Sequence, residues 1–356
     1  MATTELPTLI PFAALRDFAA AAFERVGLPP EDALAIGGLM AEADLQGSDG
    51  HGILRLPHYV RRIQAGGVKR RPDIRVVEER AAMALIDGDN GMGHLVMRRA
   101  ALLAIDKART TGAAWVGTRM SNHAGPASLY ARMPLEQGMV GLYLAVGNAN
   151  HLAPWGGLDM LLSTNPIAVA IPTQEEPPIV LDMATTVAAF GKVKAKAQRG
   201  EPMPEGWMVD REGKPLTDPR RMHEGLLLPI GGYKGYGLAL VFGLLAGTLN
   251  GAAMGRDVVD FNHDDTTPTN TGQAILAIDP AAFGDAEAFR RRVDAVVRDL
   301  RESERMPGVE RIWLPGEQSH AKRRVAQRSG IPIPPALHAS LDKLARELGI
   351  PELRGD

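Results

Sequence analysis

The sequence predicts an α+β fold in which a helical unit, assembled from both ends of the chain, flanks a central unit of strands and helices. Two observations carry that prediction. Residues 11–65 and the tail from Arg311 repeat their apolar residues at helical spacing, whereas residues 74–310 alternate short apolar runs with helices. At 356 residues the chain exceeds the size that one core usually serves, so two or three packed domains are expected. The expected division is 1–75 with 311–356 as one discontinuous helical domain, and 76–310 as an α+β domain.

Phe12, Leu15, Phe18, Ala22 and Phe23 recur at helical spacing, and Gly27 stops this first helix. Pro29-Pro30-Glu31-Asp32 starts the second, because proline pre-sets a first turn and carboxylates suit its positive end. Its apolar stripe of Ala33, Leu34, Ile36, Leu39, Met40 and Ala43 runs into a glycine-rich stretch, and a third helix over 57–65 ends at Gly66-Gly67. Residues 74–77 and 83–86 then read as strands, 95–111 as a helix and 113–118 as a strand. A helix is expected over 121–137, with Pro134 in its last turn. Residues 139–146 form a buried strand, followed over 147–165 by an Asn-, Gly- and Pro-rich loop of the length that is usually functional or disordered. Strands at 167–171 and 179–181, a helix over 184–198 and a hairpin over 207–216 come next. Residues 236–250 are small and apolar all round, which predicts a buried helix. A strand at 274–278, an amphipathic helix marked by Phe289, Val293, Val296, Val297 and Leu300, and tail helices over 317–327 and 335–348 complete the order.

Bulk composition removes several function classes. Hydrophobic residues make up 45% and charged residues 23%, as in an ordinary soluble protein. A net charge of −2 gives no electrostatic case for nucleic acid or an anionic membrane as partner. The absence of cysteine excludes disulfides, thiolate nucleophiles and cysteine-ligated metals. The start, MATTELPTLIPF, lacks the basic and apolar regions of a signal peptide, and the longest apolar run, 238–249, is too short to span a bilayer. A cytoplasmic protein is expected.

Three stretches carry candidate chemistry. The first is Gly47-Ser48-Asp49-Gly50-His51-Gly52-Ile53-Leu54-Arg55-Leu56-Pro57-His58-Tyr59. If the run from Arg55 is helical, Arg55 and Tyr59 share a face one turn apart, so imidazole, guanidinium and phenol can converge on a small anion. Alone, the stretch reads equally well as a turn with a solvated arginine. The second is Ser121-Asn122-His123-Ala124-Gly125-Pro126, which places a histidine at a strand-to-helix junction, where capping is the commoner use. The third is Ile179-Val180-Leu181-Asp182, a strand ending in a carboxylate that either caps the next helix or holds a ligand hydroxyl. Gly231-Gly232-Tyr233-Lys234-Gly235-Tyr236-Gly237 opens a helix with a lysine and suits an anion, whereas Glu317 in a first turn needs no ligand. His94, His223, His263, His320 and His338 read as structural or solvated. No histidine pair has metal-ligand spacing, so no metal is expected. None of the glycine-rich turns follows the strand–glycine–helix fingerprint with an acidic residue about 20 positions on, so a Rossmann domain is not expected.

Taken together, GSDGHGILRLPHYV, SNHAGP, the loop from Asn148 to Gly157, Thr164-Asn165-Pro166, IVLDMAT, PIGGYKGYGLAL and PGE resemble the type-2 malate/L-lactate dehydrogenase family, in order over roughly 10–330. That family includes ureidoglycolate, sulfolactate and 2,3-diketogulonate oxidoreductases and Δ1-piperideine-2-carboxylate reductases. The resemblance implies a non-Rossmann nicotinamide-binding fold with a mixed, largely antiparallel sheet, in a homodimer with its site near the subunit interface. Carried onto this chain, it makes His51 or His123 the acid/base, with His51 placed first. Arg55 clamps the substrate carboxylate, with Tyr59 and Asn148 beside it, and Asp182, Met183, Ala184, Lys234 and Glu317 match cofactor-contacting positions. One departure stands out: the family has serine directly before the first histidine, and this chain has Gly50.

The activity so implied is reversible hydride transfer between C2 of a small 2-hydroxy/2-oxo carboxylate and a nicotinamide. NAD or NADP is the expected cofactor, with NAD preferred; Arg199, Arg220 and Arg221 are the residues that could meet a 2′-phosphate. The alternatives are a reductase of cyclic 2-imino acids and a catalytically silent cofactor-binding relative. A metal-dependent hydrolase would need ligand spacing that is absent.

Overall fold

The computed structural model describes residues 6–48 and 50–355, apart from the side chain of Gln198; Asp49, within the first candidate stretch, and the first five residues lie outside. The chain opens with β1 (Thr8–Ile10), α1 (Phe12–Arg25), α2 (Pro30–Leu45) and α3 (Leu56–Ala65), then β2 (Arg75–Glu79), β3 (Met83–Asp87), α4 (Gly93–Thr111) and β4 (Ala113–Ser121). A short α5 (Ser128–Ala131) precedes β5 (Val140–Ala145), β6 (Ile167–Ile171), β7 (Ile179–Met183) and α6 (Phe190–Arg199). The order closes with β8 (Met208–Val209), β9 (Leu226–Leu227), α7 (Tyr233–Ala246), β10 (Thr271–Ile278), α8 (Ala286–Glu302), α9 (Glu317–Ser329), β11 (Ile331–Ile333) and α10 (Pro335–Leu348).

A 7-stranded sheet in the order β2-β3-β4-β10-β5-β6-β7 is the centre of the molecule. Within it β3 and β4 run parallel, and the other neighbouring pairs are antiparallel. The sheet is mixed and mostly antiparallel, as the resemblance implies. On one face α4 lays Ala100, Ala101, Ala104 and Ala108 against Ile86, Val116 and Ile275. Such small side chains let a helix approach a sheet closely. The other face carries α7 through Ala246 and Phe242 on Leu144 and Val146. At the chain ends, β1 pairs with β11 and the apolar faces of α1, α2, α3 and α10 share one core. Arg323 of α9 pairs with Glu42 of α2 at 2.7 Å.

Three expectations fail for identifiable reasons. The helix over 121–137 is mostly absent. β4 continues to Ser121, Gly125 takes φ +79°, and Pro126 and Pro134 leave room for α5 and one 3₁₀ turn. The helix over 184–198 starts late, at Phe190. Before it, the β-branched Thr185, Thr186 and Val187 stay out of the helix, with Thr185 bonded to Thr164 and Ile230, and Val187 to Leu228. Finally, α7 is not buried all round. Gly235, Ala239, Gly243 and Ala246 face inward, while Leu238, Val241, Leu244 and Leu245 remain exposed. The strands β1 and β11 are short enough to have escaped notice in the sequence.

Candidate active site

The glycine-flanked loop is fixed from beneath by Asp44 of α2. Its carboxylate accepts the Ile53 N–H at 2.6 Å and packs so tightly on Gly52 that any Cβ there would collide with it. Gly50 is different: a Cβ there would meet nothing within 4 Å. Gly52→Ala is therefore expected to destabilise by about 1–3 kcal/mol, and Gly50→Ser to stay within about 0.5 kcal/mol. Denaturant titration of the two variants checks both values.

Arg55 ends a 3₁₀ turn and caps α3, and Tyr59 follows one turn later. The Arg55 Nε donates to the Gly50 carbonyl at 2.9 Å, which sets the guanidinium plane. Among the described residues its two terminal nitrogens have no protein partner, so they can form a bidentate pair with a carboxylate.

His51, His123 and Phe261 form a stack: the His51–His123 centroids are 5.7 Å apart at 10°, and the His123–Phe261 centroids 5.2 Å at 11°. The Arg55 Cζ sits 5.9 Å from the centre of the Phe261 ring. Tyr59, 2% exposed, places its hydroxyl 2.5 Å from His123 Nδ1, and the Gly125 N–H donates to the same nitrogen at 3.3 Å. Burial raises the Tyr59 pKa, so the phenol stays protonated and can either donate to a bare Nδ1 or accept from Nδ1–H; only the second tautomer leaves Nε2 bare to act as a base.

The electrostatics favour neutral rings. Burial first, then the charge of Arg55, lowers His51 to about 4. The same two causes, with the neighbouring histidines, hold His123 well below the ordinary histidine value. Each is therefore a base in waiting at neutral pH, and a bound carboxylate that neutralises Arg55 would raise both.

Asn148 belongs to the same cluster. Its amide donates to the Thr271 hydroxyl, which bonds Thr269 at 2.9 Å, and Thr269 in turn reaches the Asn122 side chain at 3.2 Å, next to His123. The Asn148 carbonyl accepts the Phe261 N–H at 3.0 Å. Phe261 carries no signal in the sequence because it lies more than 100 positions from the residues it meets, in a loop with no periodic pattern.

His94 sits behind Tyr59 with ring centroids 5.6 Å apart. It is fully buried, and neither ring nitrogen has a partner among the described residues. Burial lowers it to about 3. Its unfolded form titrates near 6.5, so its contribution to stability is complete above pH 6.5 and is lost as the pH falls toward 3. His94→Phe should flatten the pH dependence of unfolding between pH 6.5 and 4 by about 1.4 kcal/mol per pH unit, one proton's worth. An unchanged slope in denaturant titrations would remove His94 from this account.

The remaining expected residues gather along β7 and the start of α7, not around the histidines. Asp182 does not cap the following helix; its carboxylate accepts the Ser128 N–H at 2.9 Å, at the start of α5. Met183 and Ala184 lead into the extended segment that bonds Ile230 just before α7. Lys234 is exposed in the first turn of α7, after Gly231 and Gly232 at φ +57° and +65°. Glu317 is buried and pairs with Arg301 at 2.6 Å and Arg311 at 3.4 Å. The preceding Pro315 carbonyl accepts the Val180 N–H of β7 at 3.0 Å.

The sequence pattern of the malate/L-lactate dehydrogenase family matches residues 10–342. The malate dehydrogenase of Pyrococcus horikoshii is 37% identical over 96% of this chain and 96% of its own. The solved sulfolactate dehydrogenase of Methanocaldococcus jannaschii superposes with a TM-score of 0.88 at 35% identity, covering 96% of this chain and 98% of that one. The Δ1-piperideine-2-carboxylate reductase of Pseudomonas syringae gives 0.85 at 33% identity, over 95% and 99%. With a family match over nearly its whole length, this chain belongs to the malate/L-lactate dehydrogenase family and is an oxidoreductase of the nicotinamide-dependent kind.

Proposed function

We propose that this enzyme interconverts a small 2-hydroxy carboxylate and its 2-oxo form, with Arg55 holding the carboxylate and His123 carrying the proton. The observation that carries the reading is the meeting of the Arg55 guanidinium, whose terminal nitrogens have no partner among the described residues, with the stack of His51, His123 and Phe261. What favours His123 over His51, reversing the order expected from the sequence, is its orienting partner: an acid/base held by a third group is the usual arrangement. In oxidation His123 takes the hydroxyl proton on Nε2, in the tautomer whose Nδ1–H donates to the Tyr59 oxygen, and in reduction it returns one to the carbonyl oxygen; Tyr59 fixes the ring throughout. Asn148 and Phe261 complete the wall.

The start of α7 fits a dinucleotide. Its first turn offers the backbone N–H groups of a helix start with no side-chain cap, Lys234 and two left-handed glycines that allow close approach, features suited to a diphosphate. A bound nicotinamide supplies the hydride-exchanging carbon. In this reading the cofactor site is non-Rossmann, Asp182, Met183 and Ala184 line it, and Glu317 braces it through Arg301. NAD is favoured over NADP because Arg199, Arg220 and Arg221 each sit in a local ion pair, with Glu201, Asp218 and Glu224. A homodimer is supported by the exposed apolar side of α7. The shared core of the chain ends supports a helical unit of 1–75 with 311–356 beside a cofactor unit of 76–310.

A panel of pyruvate, oxaloacetate and a cyclic 2-imino acid, each with NADH and NADPH, tests the proposal. Turnover of a 2-oxo acid is expected. Reduction of the imine alone would move the enzyme to the second reading, which the likeness to the Pseudomonas reductase and the open space at Gly50 favour. Tight cofactor binding without any turnover would mark a silent relative.

A further inference from the structure

Proton transfer at His123 obliges the Tyr59 hydroxyl to turn. As a base in oxidation the ring needs a bare Nε2, so its own proton sits on Nδ1. Once it has taken the substrate proton, Nδ1 still carries one. In both states Nδ1–H donates to the Tyr59 oxygen, and the hydroxyl proton needs an acceptor elsewhere. The contacts around Nδ1 oppose that arrangement. Two donors are aimed at it, the Tyr59 hydroxyl at 2.5 Å and the Gly125 N–H at 3.3 Å, and together they favour a bare Nδ1 with the proton on Nε2. Among the described residues the Tyr59 hydroxyl has no second partner.

His94, the second residue of α4, lies against both donors. Its ring meets that of Tyr59 edge-on, with centroids 5.6 Å apart at 83°. Its Nε2 is 3.2 Å from the point where a Cβ on Gly125 would begin. The side chain is fully buried, and neither nitrogen has a partner among the described residues. Packing alone does not account for an imidazole here, because an apolar ring would fill the space without leaving polar atoms unmet. Burial keeps the ring neutral at working pH, and a neutral imidazole always presents one bare nitrogen.

We propose that His94 is a positioning residue for the proton transfer: its bare nitrogen accepts the Tyr59 hydroxyl, directly or through one buried water, whenever Nδ1 of His123 carries a proton. The chain of His123, Tyr59 and His94 then holds the tautomer that frees Nε2 in oxidation, and steadies the doubly protonated ring that serves in reduction. The hydroxyl turns; its proton is not transferred. This inference rests on His123 as the acid/base.

The test is a double-mutant cycle of wild type, Tyr59→Phe, His94→Phe and the double variant, with His94→Gln as the conservative exchange, on pyruvate or oxaloacetate, whichever is turned over. Expected for His94→Phe is a fall of about tenfold in kcat in both directions, with KM and the affinity for reduced cofactor within about twofold. In the Tyr59→Phe background the same exchange should cost less than about twofold, since no hydroxyl is left to receive. His94→Gln keeps an acceptor and should recover most of the rate. Imidazole nitrogen NMR shifts at neutral pH need no substrate: His123 should lose Nδ1 protonation in His94→Phe and keep it in His94→Gln. The inference is overturned if His94→Phe costs the same in both backgrounds, if kcat does not change, or if glutamine and phenylalanine behave alike. Should His94→Phe fail to fold, His94→Leu takes its place in the cycle. If His123→Ala turns over normally, the assignment of the proton carrier itself fails and takes this inference with it.

Discussion

Arg55→Ala is expected to cost about 3–4 kcal/mol of transition-state binding, roughly a 10²- to 10³-fold fall in kcat/KM for a 2-oxo carboxylate. The guanidinium is oriented by its own loop through the Gly50 carbonyl, so its terminal nitrogens arrive pre-set for two parallel hydrogen bonds. Lysine cannot reproduce that fork, and Arg55→Lys should recover little. A second effect follows from charge. Arg55 helps to hold His51 at about 4 and His123 low, so its removal raises both. In the wild type, kcat/KM for oxidation should stay level from about pH 8 to 6 and fall only when the histidine base is protonated, well below its ordinary value near 6.5. In the alanine variant that acid limb moves upward. If Arg55→Ala stays within tenfold of the wild type, the carboxylate is anchored elsewhere.

The second large effect concerns the proton. His123→Ala should reduce kcat by about 10²- to 10⁴-fold in both directions, because the group that moves the proton is lost. Tyr59→Phe removes the hydrogen-bond partner of Nδ1 without emptying the space and should cost less, mostly in kcat, with cofactor affinity unchanged. His51→Ala leaves the Tyr59–His123 pair in place, and its cost should be smaller than that of His123→Ala. Rapid-mixing turnover of the three variants decides the order. A collapse in His51→Ala with His123→Ala active would exchange the two roles.

Much of the site was legible because its parts are local. His51, Arg55 and Tyr59 come from one stretch, and helical spacing alone places the last two one turn apart. His123 was legible as a junction histidine, although the chain after it was not: Pro126 and Pro134 break a helix that the apolar pattern alone extends over 121–137. Periodicity also failed for α7, since an all-round apolar helix looks the same whether its outer side meets the protein or another surface. Phe261 carried no local signal; it enters the site through tertiary contacts across the chain. Similarly, nothing in the surroundings of His94 in the sequence distinguishes a buried, partnerless ring from a solvated one.

Helix α3 has a consequence for how the family can vary here. At its start it carries Arg55 and Tyr59, and one turn before its end it carries Arg62, which is fully buried. Arg62 donates to the carbonyls of Asp264 and Thr267, and thereby ties the helix to the loop that brings Phe261. His58, between them, bonds the Phe261 carbonyl at 2.8 Å. One short rod thus works as a ruler with Arg55 at one mark and the loop anchor at another. Each residue turns it by about 100°. Side chains along it can be exchanged singly, but inserting or deleting one residue between Arg55 and Arg62 would put the two marks out of phase. Over evolutionary drift, this segment should keep its length more strictly than its letters.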